Sequence, residues 1–570
     1  MTVVPPVPRN GGQILMQQLR VHGARRVFLV PGESYLPCID ALHEHAGAIE
    51  PVVCRQESGA AYMAEAYGKL TGEPGICFVT RGPGATNASI GVHTAFQDST
   101  PMILFVGQVG NDFMEREAFQ EIDYRRMFGP MAKWVAQIDR CDRIPEFIAR
   151  AYATATSGRP GPVVLALPED TLWARPPSRT CRATSACRTI PARRTSNACA
   201  PRWTPRAILP AAGRQRLDRQ GGRAHRRLRP GLRAAGRHGL AAAGMLRPAP
   251  SQRRRPVGWG MTDALRARLA VADLILAVGT RLGEATTEGY LLPACPLPAQ
   301  RLIHVHPDPE ELGRVYQPWQ AVVAGPAEFA EAAATLIPGH APSRAQAVRQ
   351  AHQEYLDSLA PLPAPGPLSL DALAAGVNQR LPVDACVTVG AGNYALYPHR
   401  YRQFAGPGTS LAPTLGAMGY GLPAALSAKL EHPQRTVVCY AGDGCFQMNM
   451  QELGVAQQYR LGVVVLVFNN GMWGTIRAHQ EREFPGSPIA LGFENPDFAQ
   501  IARGYRGYGE IVTRTEDFAA AFERALAYAE RERLPALLDI RYDADGIAPG
   551  QTLSAIRDAA LARQAAPLHS

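Results

Sequence analysis

Thr436-Val437-Val438-Cys439-Tyr440-Ala441-Gly442-Asp443-Gly444 is the stretch on which the reading of this chain turns. A short β-branched and apolar run enters a Gly-Asp-Gly turn. A helical run from Asn449 to Tyr459 follows, and then a second apolar strand, Val463 to Phe468, ends at Asn469-Asn470, with 24 residues between Gly444 and Asn469. In a parallel sheet this spacing sets a carboxylate at the end of one strand beside a carboxamide at the end of the next. Both then stand on the carboxyl edge, where α/β folds bind ligands. Asp443 and Asn470 can there share one hard divalent cation through oxygen, with positions left for phosphates. Gly442 and Gly444 allow backbone N–H groups to approach a diphosphate closely. Either turn alone is an ordinary loop feature; the pair across one strand–helix–strand unit is what points to a site.

The same alternation extends in both directions. Ala385 to Val389 and Ala536 to Ile540 read as further strands, and Pro361 to Pro367 reads as a linker, because successive prolines enter neither helix nor sheet interiors. In the first 176 residues, Gln13 to His22 and Ser58 to Leu70 are helical. Arg26 to Val30, Pro51 to Cys54, Ile76 to Thr80, Met102 to Val106 and Val163 to Leu167 are strands. Continuous apolar strands separated by helices predict α/β domains with parallel sheets covered on both faces. The domains expected are 1–177, a middle domain 178–360, a third at 361–550, and a tail at 551–570. The middle domain has clear strands only late, at Leu274 to Val278 and Leu302 to Val305.

Composition narrows the class. A chain of 570 residues, 46% apolar and 19% charged, is built of several globular domains and is neither disordered nor fibrous. No apolar run approaches the roughly 20 residues that span a bilayer. Met1 to Gly12 lacks a signal-peptide core, and the 11 cysteines form no Cys-x-x-Cys pair, which suits a reducing cytoplasm. The net charge of +11 is local: Ser178 to Gly260 holds 20 arginines and a single acid, Asp218, and the rest of the chain is net acidic. That distribution argues against a nucleic-acid-binding face. A basic linker, a nucleic-acid arm and an out-of-frame translation compete as readings of Ser178 to Pro256. The mixture of Arg, Ala, Pro, Gly and sporadic Cys favours the last.

The site motif resembles that of thiamine diphosphate enzymes, and the resemblance covers most of the chain. Cys54-Arg55-Gln56-Glu57-Ser58-Gly59-Ala60-Ala61, Gly82-Pro83-Gly84-Ala85-Thr86-Asn87, Phe96-Gln97-Asp98-Ser99-Thr100-Pro101, Phe119-Gln120-Glu121 and Gly416-Ala417-Met418-Gly419-Tyr420-Gly421 are similar to segments of acetolactate synthase catalytic subunits. The resemblance implies two cofactor-binding domains flanking a Rossmann-like middle domain. It implies that Glu57 hydrogen-bonds the aminopyrimidine and promotes loss of the thiazolium C2 proton, and that Met418 props the cofactor into a bent shape. Gly392 and Asn393 become a diphosphate-side loop, Met472 lends its backbone carbonyl to Mg²⁺ beside Asp443 and Asn470, and Gly32, Gln120 and Cys445 join the same site. The implied chemistry is decarboxylation of a 2-oxo acid such as pyruvate and ligation to a second one, by a homodimer or homotetramer with a possible regulatory subunit. Simple decarboxylation, C–C cleavage of a larger substrate, and a damaged protein of little activity are the alternatives.

Some positions depart from the family. Glu169 replaces a common lysine, Trp473 and Gln480 stand where Gly-Met-Val and Gln-Trp are usual, and Gly283-Glu284-Ala285 replaces a flavin-contacting Asp-Asp-Arg. Flavin (FAD) is therefore expected to bind weakly or not at all, the more so as no apolar strand is evident before Gly221-Gly222. His304 and His306 alternate on a strand without a third ligand and are expected to be an ordinary strand end rather than a metal pair. His479 lies near the predicted site without an assigned role.

Overall fold

The computed structural model describes residues 8–176, 181–184, 208–212, 237–238, 257–258, 260–333 and 342–565. The chain forms two compact units. The first comprises Met1–Cys187, Pro413–Pro433 and Asn449–Leu461; the second comprises Arg188–Ala412, Gln434–Met448 and Gly462–Ser570.

The first unit is built on β1 (Arg26–Leu29), β2 (Glu50–Val53), β3 (Gly75–Val79), β4 (Met102–Gln108), β5 (Trp134–Gln137) and β6 (Pro162–Pro168), ordered β2-β1-β3-β4-β6-β5 with every pairing parallel. All residues of β3, β4 and β6 are buried, as the unbroken apolar runs require when helices cover both faces. The edge strand β5 was not evident from sequence, because four residues of mixed burial carry too little periodic signal. Helix α1 (Gly11–Val21) starts at a reciprocal capping box between Asn10 and Gln13. Helices α2 (Glu57–Thr71) and α3 (Gly82–Asp98) bury small residues, among them Ala60, Ala61, Ala64, Ala88 and Ala95, and a Cβ at Gly91 of α3 would stand 2.4 Å from Ala61 of α2.

Two later segments belong to this unit. Helix α4 (Gly421–Glu431) packs along α2, where the Ser427 hydroxyl donates to the Met63 carbonyl at 2.9 Å. The run expected as one helix from Asn449 to Tyr459 is instead a 3₁₀ turn, Met450–Glu452, followed by α5 (Leu453–Gln458). Between α2, α3 and the approach to α4 lies a buried charged cluster. The Lys69 ammonium is 2.8 Å from Glu65 and 2.5 Å from Asp98, both carboxylates being fully buried. Glu65 also accepts from the Thr100 and Tyr420 hydroxyls at 2.8 Å, and Asp98 accepts the Thr414 N–H at 2.7 Å.

The second unit contains two parallel sheets. Strands β7 (Ile208–Ala212), β8 (Arg237–His238), β9 (Leu274–Val278), β10 (Arg301–His306) and β11 (Gln320–Val323) lie in the order β11-β10-β9-β7-β8. The expectation that no strand precedes Gly221-Gly222 is corrected: Ile208–Ala212 pairs in parallel with Leu274–Val278. Its proline and alanines concealed it, since pairing to an apolar neighbour rather than intrinsic propensity makes it a strand. Most of the arginine-rich stretch, and with it the out-of-frame reading, lies outside the described residues. His304 and His306 are buried on β10. His304 donates from Nε2 to the Thr280 carbonyl at 2.8 Å, and His306 Nδ1 accepts the Asp308 N–H at 3.1 Å.

The second sheet contains β12 (Cys386–Val389), β13 (Ser410–Leu411), β14 (Val437–Gly442), β15 (Val464–Asn469), β16 (Tyr508–Val512) and β17 (Ala536–Arg541), ordered β13-β12-β14-β15-β17-β16. Helix α6 (Gly474–Glu483) follows β15. The segment set apart as a tail contains α7 (Leu553–Ala565), which packs on α6. Glu481 on α6 accepts from Arg477 and from both ends of the Arg557 fork, and these guanidinium bonds hold its carboxyl down to about 2.

Lys69→Met leaves two buried carboxylates without their shared cation. We expect a loss of about 3–5 kcal/mol, read as a lower denaturation midpoint with an unchanged slope against denaturant.

Candidate active site

The register of β14 and β15 places the two decisive turns side by side. Gly442 pairs with Phe468 in the parallel ladder, so Asp443 and Asn469-Asn470 emerge at the same sheet edge. Asp443 is 3% exposed. Its Oδ2 accepts the N–H groups of Asn470 (3.0 Å) and Gly471 (2.8 Å) and the Asn495 amide (2.9 Å), while Oδ1 accepts the Gly444 N–H (2.8 Å). Burial raises the carboxyl's pKa and these hydrogen bonds oppose the rise. The Asn495 amide also donates to Asn469 Oδ1 at 2.8 Å, and the Asn469 amide donates to the fully buried Asp539 at 2.9 Å. Asn495 was missed in the sequence, where an Asn between Glu494 and Pro496 looks like any loop residue.

The diphosphate-side loop reaches the same edge. The Asn393 N–H donates to the Thr475 hydroxyl, and that hydroxyl donates to Asn393 Oδ1, both at 3.2 Å, which ties the loop to the start of α6. The Met472 N–H donates to Asn470 Oδ1 at 3.3 Å. Glycine at 442 and 392 has a packing reason besides ligand approach: a Cβ at either would stand 2.6–2.8 Å from the Tyr394 ring. Tyr394 in turn donates to Cys445 Sγ at 3.1 Å. A Cβ at Gly444 would stand 2.4 Å from the Trp473 ring, so this departure from the family lies directly over the motif. His479 is exposed on α6, with Nδ1 3.0 Å from Arg482.

The first unit gathers the other candidates. Glu57 is the first residue of α2, and its Oε2 accepts from the Asn87 amide on α3 at 2.9 Å. The Gln120 carbonyl accepts the Gly82 N–H at 3.0 Å, fixing the start of α3. Gly32 follows the end of β1 and is packed by Thr80 and Tyr35. Met418 is half-buried. Its carbonyl accepts from the Tyr62 hydroxyl at 3.0 Å, and the next carbonyl, Gly419, accepts from the Asn449 amide at 3.2 Å. Glu169 has a partner that sequence did not suggest: the buried Arg81 donates to it at 2.6 Å, immediately before Gly82.

Comparison with known proteins gives this arrangement its class. Models of thiamine pyrophosphate enzymes match the chain in three parts: the N-terminal TPP binding domain at residues 9–127, the central domain at 224–333, and the C-terminal TPP binding domain at 390–540. The chain belongs to the thiamine pyrophosphate enzyme family. The isozyme 3 large subunit of acetolactate synthase from Escherichia coli (strain K12) is 29% identical over 94% of this chain and 95% of its own length. The isozyme 2 large subunit from the same strain is 31% identical over 91% and 93%, and acetolactate synthase from Arthrospira platensis is 30% identical over 95% and 96%. The chain is an acetolactate-synthase-like enzyme that depends on thiamine pyrophosphate.

The residues at the β14–β15 edge suit that cofactor. The Asp443 carboxylate, the Asn470 carboxamide oxygen and the Met472 carbonyl stand on adjoining turns, an oxygen-only chemistry that would suit a hard divalent cation. Asp443→Ala is expected to abolish Mg²⁺-dependent binding of thiamine diphosphate. Titration calorimetry with and without Mg²⁺ checks this, and unchanged affinity would remove Asp443 from the site.

Proposed function

We propose that the protein ligates two 2-oxo acids with release of carbon dioxide from the first, pyruvate being the donor and an acetohydroxy acid the product. The observation that carries this reading is the Glu57 carboxyl, held by Asn87 at the first turn of α2 in a chain similar throughout to acetolactate synthases. Thiamine diphosphate, when bound, supplies an acidic carbon that adds to a carbonyl and carries the charge left by departing carbon dioxide. The protein contributes position and proton handling. Glu57 presents its carboxyl to a pyrimidine nitrogen; Asn87 fixes one oxygen, leaving Oε1 beside Gly84. Met418, anchored through its carbonyl to Tyr62, would pack against the cofactor and support it. Asp443, Asn470 and the Met472 carbonyl would hold Mg²⁺, and Gly392, Asn393, Gly442, Gly444 and Cys445 would surround the diphosphate. Gly32 and Gln120 belong to the pyrimidine side.

A homodimer or homotetramer in the cytoplasm, with a regulatory subunit as partner, accompanies this reading, since the relatives are named as large subunits. A second fate of the donor, simple decarboxylation, is favoured by one feature: the large Trp473 ring stands against Gly444, in the stretch that by family resemblance shapes the acceptor pocket. Product analysis with pyruvate separates the two, acetolactate supporting ligation and acetaldehyde alone refuting it. Flavin is expected at well below one per chain, because Gly283-Glu284-Ala285 lacks the arginine of the family segment. The visible spectrum of the purified protein reads this directly.

Glu57→Gln is expected to keep cofactor affinity while slowing C2 proton–deuterium exchange by about 10²-fold or more. Exchange at the wild-type rate would reduce Glu57 to a helix-end charge.

A further inference from the structure

The start of α2 meets a second carboxylate that no motif above employs. Glu452, fully buried on the 3₁₀ turn before α5, lies against the Cys54–Glu57 turn. Its Oε1 accepts the N–H groups of Arg55 (3.1 Å) and Gln56 (3.0 Å), and its Oε2 accepts that of Arg55 at 3.3 Å. Gln56 is the N-cap of α2. A carboxylate at this end satisfies donors that the helix cannot and stands where the helix dipole favours negative charge. The fit is close: a Cβ at residue 59 would stand 2.5–2.9 Å from the Glu452 side chain, so only glycine admits it. Asn449, from the same segment, accepts the Ser58 hydroxyl at 3.0 Å. Residues 55, 56 and 58 are thus all gripped from one segment, and Glu57 lies among them.

We propose that Glu452 is a positioning residue for Glu57: in its ionised form it fixes the turn from which the Glu57 carboxyl is presented, and protonation loosens that hold. The proposal rests on the role given to Glu57 above. The groups facing Glu452 from the β2–α2 connection are the Arg55 cation, the Glu57 carboxyl and the Cys54 thiol. The Arg55 guanidinium is itself drawn towards the Gln458 amide oxygen (2.7 Å) and the Gly454 carbonyl (3.2 Å). The charged residues of the neighbouring α4 are Lys429 and Glu431, and Glu431 is paired with Arg25 and Arg26. Burial pushes the Glu452 carboxyl up to about 7, with Glu57 adding to the rise, and the N–H donors and Arg55 oppose it. A carboxyl raised in the folded state takes up a proton on folding. Stability therefore falls as pH rises from the ordinary carboxylate range towards 7, while the hold on the turn strengthens over the same interval.

The test is C2 proton exchange of thiamine diphosphate on the Mg²⁺-loaded protein, followed across pH at saturating cofactor. Wild-type exchange is expected to rise through an inflection near 7. Glu452→Gln, of equal size, is expected to lose that inflection and to run roughly ten- to a hundredfold slower on the alkaline side, the scale of a misplaced catalytic group. Glu452→Asp keeps the charge and should keep an inflection at a displaced midpoint, with slower exchange. Wild-type behaviour of Glu452→Gln across the range overturns the proposal. If that variant fails to fold, an unshifted midpoint in Glu452→Asp overturns it instead. Normal exchange in Glu57→Gln would defeat the reading of Glu57, whatever the Glu452 variants do.

Discussion

A carboxylate buried away from water is tolerated only when donors surround it. Asp443 meets that condition through the N–H groups of Gly444, Asn470 and Gly471 and the Asn495 amide. These donors come from the end of β14, the turn after β15, and a loop beyond α6. One side chain thereby locks three segments at the carboxyl edge of the sheet. The rest of this half of the site follows from that constraint: Asn470 and Met472 share the locked turn, and Asn393 is bound to Thr475 just beyond it.

The first unit applies the same physics to different groups. Glu65 and Asp98 are stabilised by Lys69 and by hydroxyl and backbone donors, and Glu452 by the Arg55 and Gln56 N–H groups at the start of α2. Both clusters tie α2 to segments encoded some 350–400 residues later in the chain. The Glu65–Tyr420 bond lies two residues from Met418, and the Glu452 bonds lie at residues 55 and 56, beside Glu57. The residues expected to address the cofactor thus sit next to buried charges that are each held by several partners.

The departures from the family acquire physical settings. Glu169 neutralises Arg81, which would otherwise be a buried cation before the first turn of α3. Trp473 packs over Gly444 and against Phe493, changing the shape beside the cofactor motif while leaving the Asp443 bonds intact.

The parallel α/β class, the main strands and the pairing of Asp443 with Asn470 were legible from sequence, because they rest on local grammar: unbroken apolar runs, turn glycines and a spacing that one crossover imposes. Short edge strands such as Trp134–Gln137 and the strand Ile208–Ala212 were not, since neighbours rather than composition make them strands. The helix expected through Asn449–Tyr459 is shorter, Leu453–Gln458, and follows a 3₁₀ turn, Met450–Glu452, whose Glu452 bonds to residues distant in the chain. Asn495, Arg81 with Glu169, and Glu452 carried no recognisable sequence signal. Their roles depend on partners distant in the chain, and only the packed tertiary structure sets a buried polar group beside the donor or acceptor that makes its burial tolerable.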